Sequence, residues 1–204
     1  MTASRVWQVL YADWQMECCG TPFAVGDEVA WPLLVQTEGV QEWEAEFSTI
    51  EGAVVALDSL PGEWSEEDEG AYEDEGEDFE DAVEPSVVRA HGVTVPWNRA
   101  RPWPGRAGLT GLLSVERHGG RWPDTVGTVR AIHVVTQGFA ETSEGSRTYE
   151  PVPGERWLRP VELCPKWFQA EELSRTSAGP GYHRGETGVL VELEVTEPGE
   201  EGAS

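Results

Sequence analysis

The residues best equipped for chemistry are concentrated in Trp14–Trp31, which reads WQMECCGTPFAVGDEVAW. Cys18 and Cys19 are adjacent thiols, and Cys164 is the only other cysteine. With one of the four histidines, the three sulfurs could complete a thiolate-rich zinc site. The spacing speaks against this, because side chains of neighbouring residues diverge and the C-x-x-C loop is missing. A redox-active vicinal disulfide would require a strained ring. The simplest expectation is three buried, reduced thiols with no metal and no cofactor. Asp13, Glu17 and Asp27 flank the cysteines and could do acid–base work if one were desolvated. The plainer reading puts Asp27 in a turn after Gly26 and leaves the other two acids exposed.

The histidines offer less. His91, His118, His133 and His183 lie in separate segments, and none sits at a metal-ligand spacing such as H-x-x-x-H. His118 and His183 fall in expected loops, and His133 falls within an expected strand. The chain contains no G-x-S-x-G, no H-E-x-x-H and no G-x-x-x-x-G-K-[ST]. A second local departure is Trp97–Arg106, where Trp97, Arg99, Arg101, Trp103 and Arg106 interleave aromatic rings with guanidinium groups. Arginine forks onto phosphate and carboxylate and stacks on rings, so this strip could bind anions or nucleic acid. The alternative is a surface strap pinned to the core by its tryptophans, or a landing place for acid from elsewhere in the chain.

Such acid is abundant. The net charge is −24, and the segment Glu63–Glu84 carries 13 acids and no base, leaving −11 for the rest. That field repels bare nucleic acid and anionic membrane surfaces and attracts basic proteins. Lys166 is the only lysine against 13 arginines, so lysine-dependent chemistry would fall on one residue. No apolar run approaches the ~20 residues of a membrane-spanning helix. No secretory leader is expected either, because Asp13 and Glu17 soon interrupt the apolar run Val6–Leu10. A cytoplasmic protein with reduced thiols is the expectation.

The elements that would position these groups read as mostly β. Ten tryptophans in 204 residues supply a real core, at roughly 2–3 kcal/mol for each one fully buried. Val6–Tyr11 predicts a strand and Met16–Gly26 a loop. Val29, Trp31, Leu33 and Val35 recur with the period of two of a single strand. Phe47, Ile50 and Val54–Leu57 predict one or two more. Leu112–Arg117 and Val126–Thr136 flank HGGRWPD and read as a long-looped hairpin. Arg156–Leu163 predicts a strand, and residues 165–175 a short helix opened by Pro165. The final strand is the clearest, with Val189, Val191, Leu193 and Val195 on one face and Glu192, Glu194 and Thr196 on the other. The fold class is therefore an antiparallel small barrel (SH3-like or OB-like) or sandwich. An N-terminal β segment (1–57) and a C-terminal one (86–196) are separated by an acidic insertion (58–85) expected to be disordered. The acidic end, 197–204, is expected to fray.

Three stretches carry a family likeness: WQMECCGTPFAVGDEVAWPL (14–33), RAIHVVTQ (130–137) and RWLRPVELCPKWF (156–168). Together they resemble an uncharacterised actinobacterial family, a domain of unknown function. The resemblance implies no activity and transfers no site residue. Function is therefore read from the residues themselves. A non-enzymatic binding module with a basic protein partner for Glu63–Glu84 leads. Alternatives are a metal- or thiol-dependent protein centred on Cys18 and Cys19, and a nucleic-acid-associated protein using Trp97–Arg106.

Overall fold

The computed structural model describes residues 4–57, 60, 85–97, 99, 104–119, 121–172 and 179–197. Most of 58–85, together with Arg101, Trp103 and residues 198–204, lies outside them. The described chain is dominated by strands. They are β1 (Ser4–Ala12), β2 (Glu28–Trp31), β3 (Leu33–Gln36), β4 (Ser48–Ala56), β5 (Ser86–Ala90) and β6 (Val93–Pro96). The remaining five are β7 (Arg106–Val115), β8 (Thr125–Glu141), β9 (Tyr149–Val161), β10 (Ala170–Glu172) and β11 (His183–Thr196). One α-helix, α1 (Asp13–Cys19), follows β1, and a 3-10 turn covers Gln41–Glu46. No described helix is long and apolar enough to cross a membrane.

The strands form a single curled, half-barrel sheet in the order β2-β8-β11-β1-β7-β4-β5-β6, with β3 on β7, β9 on β8 and β10 on β11. Pairing is antiparallel except between β1 and β7, which run parallel through Val9↔Leu113 and Leu10↔Ser114. Strands of 1–57 and 86–196 are interleaved in this order, so both segments build one sheet. The acidic insertion joins β4 to β5, whose last and first residues pair as Ala56↔Ser86. It leaves and re-enters the sheet at one point, where added loop length costs little closure entropy. The β5–β6 turn is tight: His91 and Gly92 both adopt positive φ (49° and 78°), as a two-residue hairpin turn with the right twist requires.

Alternation explains the core. Val189, Val191, Leu193 and Val195 of β11 are buried, and Trp7, Val9 and Tyr11 of β1 join them. Trp31, Leu33, Ile50, Val88, Leu113 and Ile132 belong to the same cluster. Arg156 fastens the 3-10 turn to β9. Its guanidinium lies 3.9 Å above the Trp43 ring and donates to both Glu46 carboxylate oxygens at 3.0 and 3.2 Å.

Four sequence expectations are corrected. The period-two run Val29–Val35 is two strands, because Pro32 interrupts it and lacks an N–H; β2 joins β8, while β3 joins β7. Strands β7 and β8 do not form a hairpin, since β1 and β11 lie between them. The loop expected from Met16 begins in α1. The helix expected over 165–175 is irregular chain and then β10 as far as it is described. Its backbone groups are engaged elsewhere: Phe168 N–H donates to Glu17 Oε1 (2.9 Å), Gln169 N–H to Glu186 Oε2 (3.0 Å), and the Gln169 carbonyl accepts from Glu186 N–H (2.7 Å). A helix this short gains too little from its own hydrogen bonds to compete with such tertiary partners.

Candidate functional site

The site forms where β1 gives way to α1. Asp13 opens the helix, a favourable place for an acid beside the unpaired N–H groups. Burial raises its carboxyl pKa, and the charge of Glu17 adds to the rise. Gln15 and Met16 turn inward. The Gln15 side chain donates to the Val115 carbonyl (2.9 Å) and accepts from Arg117 N–H (2.7 Å), stitching α1 to the chain leaving β7. That stitch fixes the loop bearing His118. Glu116 Oε1 accepts from His118 N–H (2.7 Å), Arg117 Nε donates to the Tyr11 hydroxyl (3.2 Å), and Trp122 Nε1 donates to the Leu33 carbonyl (2.8 Å).

The other end of α1 is held by the single lysine. Lys166 Nζ donates to the carbonyls of Met16 (2.6 Å) and Gly20 (3.0 Å), placing a positive charge at a helix C-terminus. Gly20 N–H closes the last turn onto Gln15 and Met16. Together with the Phe168–Glu17 bond, these contacts seat residues 166–168 against the helix.

On this frame Cys18, Cys19 and His118 come together. Their sulfur and ring-nitrogen atoms all lie within 4.8 Å of one another, and all three residues are exposed. Cys19 Sγ stands 3.6 Å from His118 Nε2. The Trp14 ring stacks on the His118 imidazole at 4.9 Å between centroids. The expectation of buried thiols therefore holds for Cys164 and fails for Cys18 and Cys19. Although successive side chains on a helix diverge, both sulfurs lie beside the same histidine. Burial raises the Cys164 thiol to about 12, so it stays protonated and takes no part. Cys19 is also raised, by desolvation first and then by its neighbour Cys18, against a lowering from Arg117 and Lys166. A raised thiol is a weaker nucleophile at neutral pH, and a bound cation favours its thiolate form. A vicinal disulfide is disfavoured too, because successive residues in a helical turn are rotated by about 100° and the small ring would force the turn open.

The remaining candidates separate. Asp27 sits in a turn, its carboxylate accepting from Ala24 N–H (2.8 Å). Trp31 is core, packed on Tyr11 and Phe23 at 5.5 and 4.9 Å. Both border a shallow depression of about 330 Å³ shared with Thr21 and Arg117. Trp97 is buried and its backbone is tied to Ser86, so its ring offers bases no open face. Arg99 lies 4.8 Å above its ring, and exposed Arg106 opens β7. Arg101 and Trp103 lie outside the described residues. A larger cleft of about 700 Å³ over β8, β9 and β11, lined by Thr136, Trp157, Arg159 and Arg184, gave no sequence signal. Arg159 pairs there with Glu186 (2.7 Å), and Arg184 stacks on Trp157 (4.1 Å) and lies 3.8 Å from Glu155.

Residues 5–195 match DUF6578, a family of unknown function. The chain belongs to that family. No curated protein and no solved structure matches it. The match runs through every described strand, so the sheet, the α1 corner and the His118 loop all fall within the DUF6578 region. Family membership supplies no reaction, and the function of this DUF6578 chain has to be argued from its surface.

Proposed function

We propose that the protein is a non-enzymatic binding module that docks a basic macromolecular partner on the α1 corner, assisted by the charge of Glu63–Glu84. One observation carries this reading. Three of the most exposed large apolar side chains are Trp14 (54%) on α1, Trp167 (68%) in the segment seated against it, and Leu163 (60%), which precedes that segment and bridges Ala24. Aromatic groups on a rigid surface bury large area at low entropic cost, which makes them the usual anchors of an interface. A chain with a complete core does not need them outside, and an exposed apolar cluster within a polar surround is a common mark of a docking face. The surplus of acid sets the charge of the partner and speeds its encounter.

A photoreactive residue at position 14 or 167 of the full chain, in the cells that make it, tests this. Both positions should capture the same basic protein, and deletion of 63–84 should sharply reduce capture. Position 126 is the control, because Val126 is exposed on the β2–β8 side of the sheet. Equal capture from position 126, or none from 14 and 167, would contradict the proposal.

A further inference from the structure

We infer that Cys18, Cys19 and His118 form a binding site for a thiophilic cation of the zinc type, with its fourth position open to solvent. This inference goes beyond the docking role, and its donor atoms are distinct from the exposed apolar groups. Two sulfurs and an imidazole nitrogen are the donor set that zinc and other borderline-soft cations select over magnesium or calcium. The geometry agrees. Zinc held at about 2.3 Å from sulfur and about 2.0–2.1 Å from nitrogen, with a tetrahedral angle between them, spaces those two atoms by about 3.6 Å. Cys19 Sγ and His118 Nε2 are 3.6 Å apart. The second sulfur lies within 4.8 Å of both and needs only a small rotation to close the face.

The surroundings are those of a held ligand set. The Trp14 ring stacked on His118 restricts rotation of the imidazole. Glu116 anchors the His118 backbone, and Gln15 ties that loop to the helix carrying both cysteines. Stacking and backbone anchoring of this kind limit how far the imidazole can move from the two sulfurs. All three donors face solvent, so water completes the coordination sphere and the ion has a free path in.

The test is Co²⁺ titration of the full, reduced chain under anaerobic conditions. Tetrahedral cobalt on thiolates gives strong visible bands and a sulfur-to-metal charge-transfer band in the near ultraviolet. The expected result is both signals, saturating at one ion per chain and discharged by Zn²⁺. Cys18→Ser, Cys19→Ser and His118→Ala should each weaken binding by no less than the roughly 10- to 100-fold that loss of an outer partner costs. Their circular dichroism should stay native, because all three side chains are exposed. The weak octahedral spectrum alone would mean an ion held by surface carboxylates and would overturn the proposal. So would tetrahedral bands that persist undiminished in His118→Ala. Partner capture at positions 14 and 167 is read without added metal, so either idea can fail alone.

Discussion

Gly188→Ala should unfold the protein at markedly lower temperature, by roughly 6–12 °C, for a loss of about 3 kcal/mol or more in a chain of this size. Gly188 lies at the irregularity in β11 where it faces Ala12 on one side and Val135 on the other. Its φ is +132°, a region L side chains rarely adopt. A Cβ there would stand 2.2 Å from the Tyr11 carbonyl oxygen, 2.9 Å from Ala12 Cα and 3.0 Å from Asp13 N. These atoms are backbone and cannot swing aside. They are also the atoms through which β1 turns into α1, so the substitution presses on the junction that positions Cys18 and Cys19. Gly105→Ala is the control: nothing lies within 4 Å of its added Cβ, and stability should hardly change. Thermal melts of both variants decide the matter. Equal melting temperatures would show that the β11 irregularity yields easily.

The second large effect separates two tryptophans that the sequence places in one segment. Trp31→Ala should cost about 3–5 kcal/mol, the usual penalty for emptying a large aromatic site in a core. Trp31 is 2% exposed and sits edge-on to Tyr11 and Phe23. Trp14→Ala should change stability by no more than about 0.5 kcal/mol, because an exposed side chain leaves no cavity. The same change should weaken partner binding at least tenfold, as loss of an interface anchor costs about 2 kcal/mol or more. Urea denaturation of the two proteins gives the comparison. A Trp14→Ala protein as unstable as Trp31→Ala would make Trp14 a structural residue.

Much of the scaffold was legible because one-sided burial writes itself as alternation. β11 shows this best, with valines and a leucine inward and glutamates outward along a strand paired at its two edges with β1 and β8. Alternation does not say which strands are neighbours. The split of Val29–Val35 at Pro32, and the separation of β7 from β8, follow from long-range pairing that no local pattern encodes. α1 was missed because seven residues carry little helical periodicity. It is stabilised by Gln15, Lys166 and Glu17 reaching segments at least a hundred residues away. The cysteines were visible by type and the site was not. Cys164 drew attention as a third sulfur, yet burial removes it, and His118 replaces it through a bond network centred on Gln15. The Glu116–Arg117–His118–Gly119 string carries no ligand spacing to Cys19, because the proximity exists only in the fold.

The central claim is that Cys18 and Cys19 stand exposed on a rigid corner while Cys164 belongs to the core. Alkylation of the native, metal-free protein at pH 8, followed by mass spectrometry of each cysteine, tests it most directly. Cys18 and Cys19 should be modified while Cys164 stays unlabelled until denaturant unfolds the sheet. Labelling of Cys164 as fast as the other two, or protection of all three alike, would contradict the account.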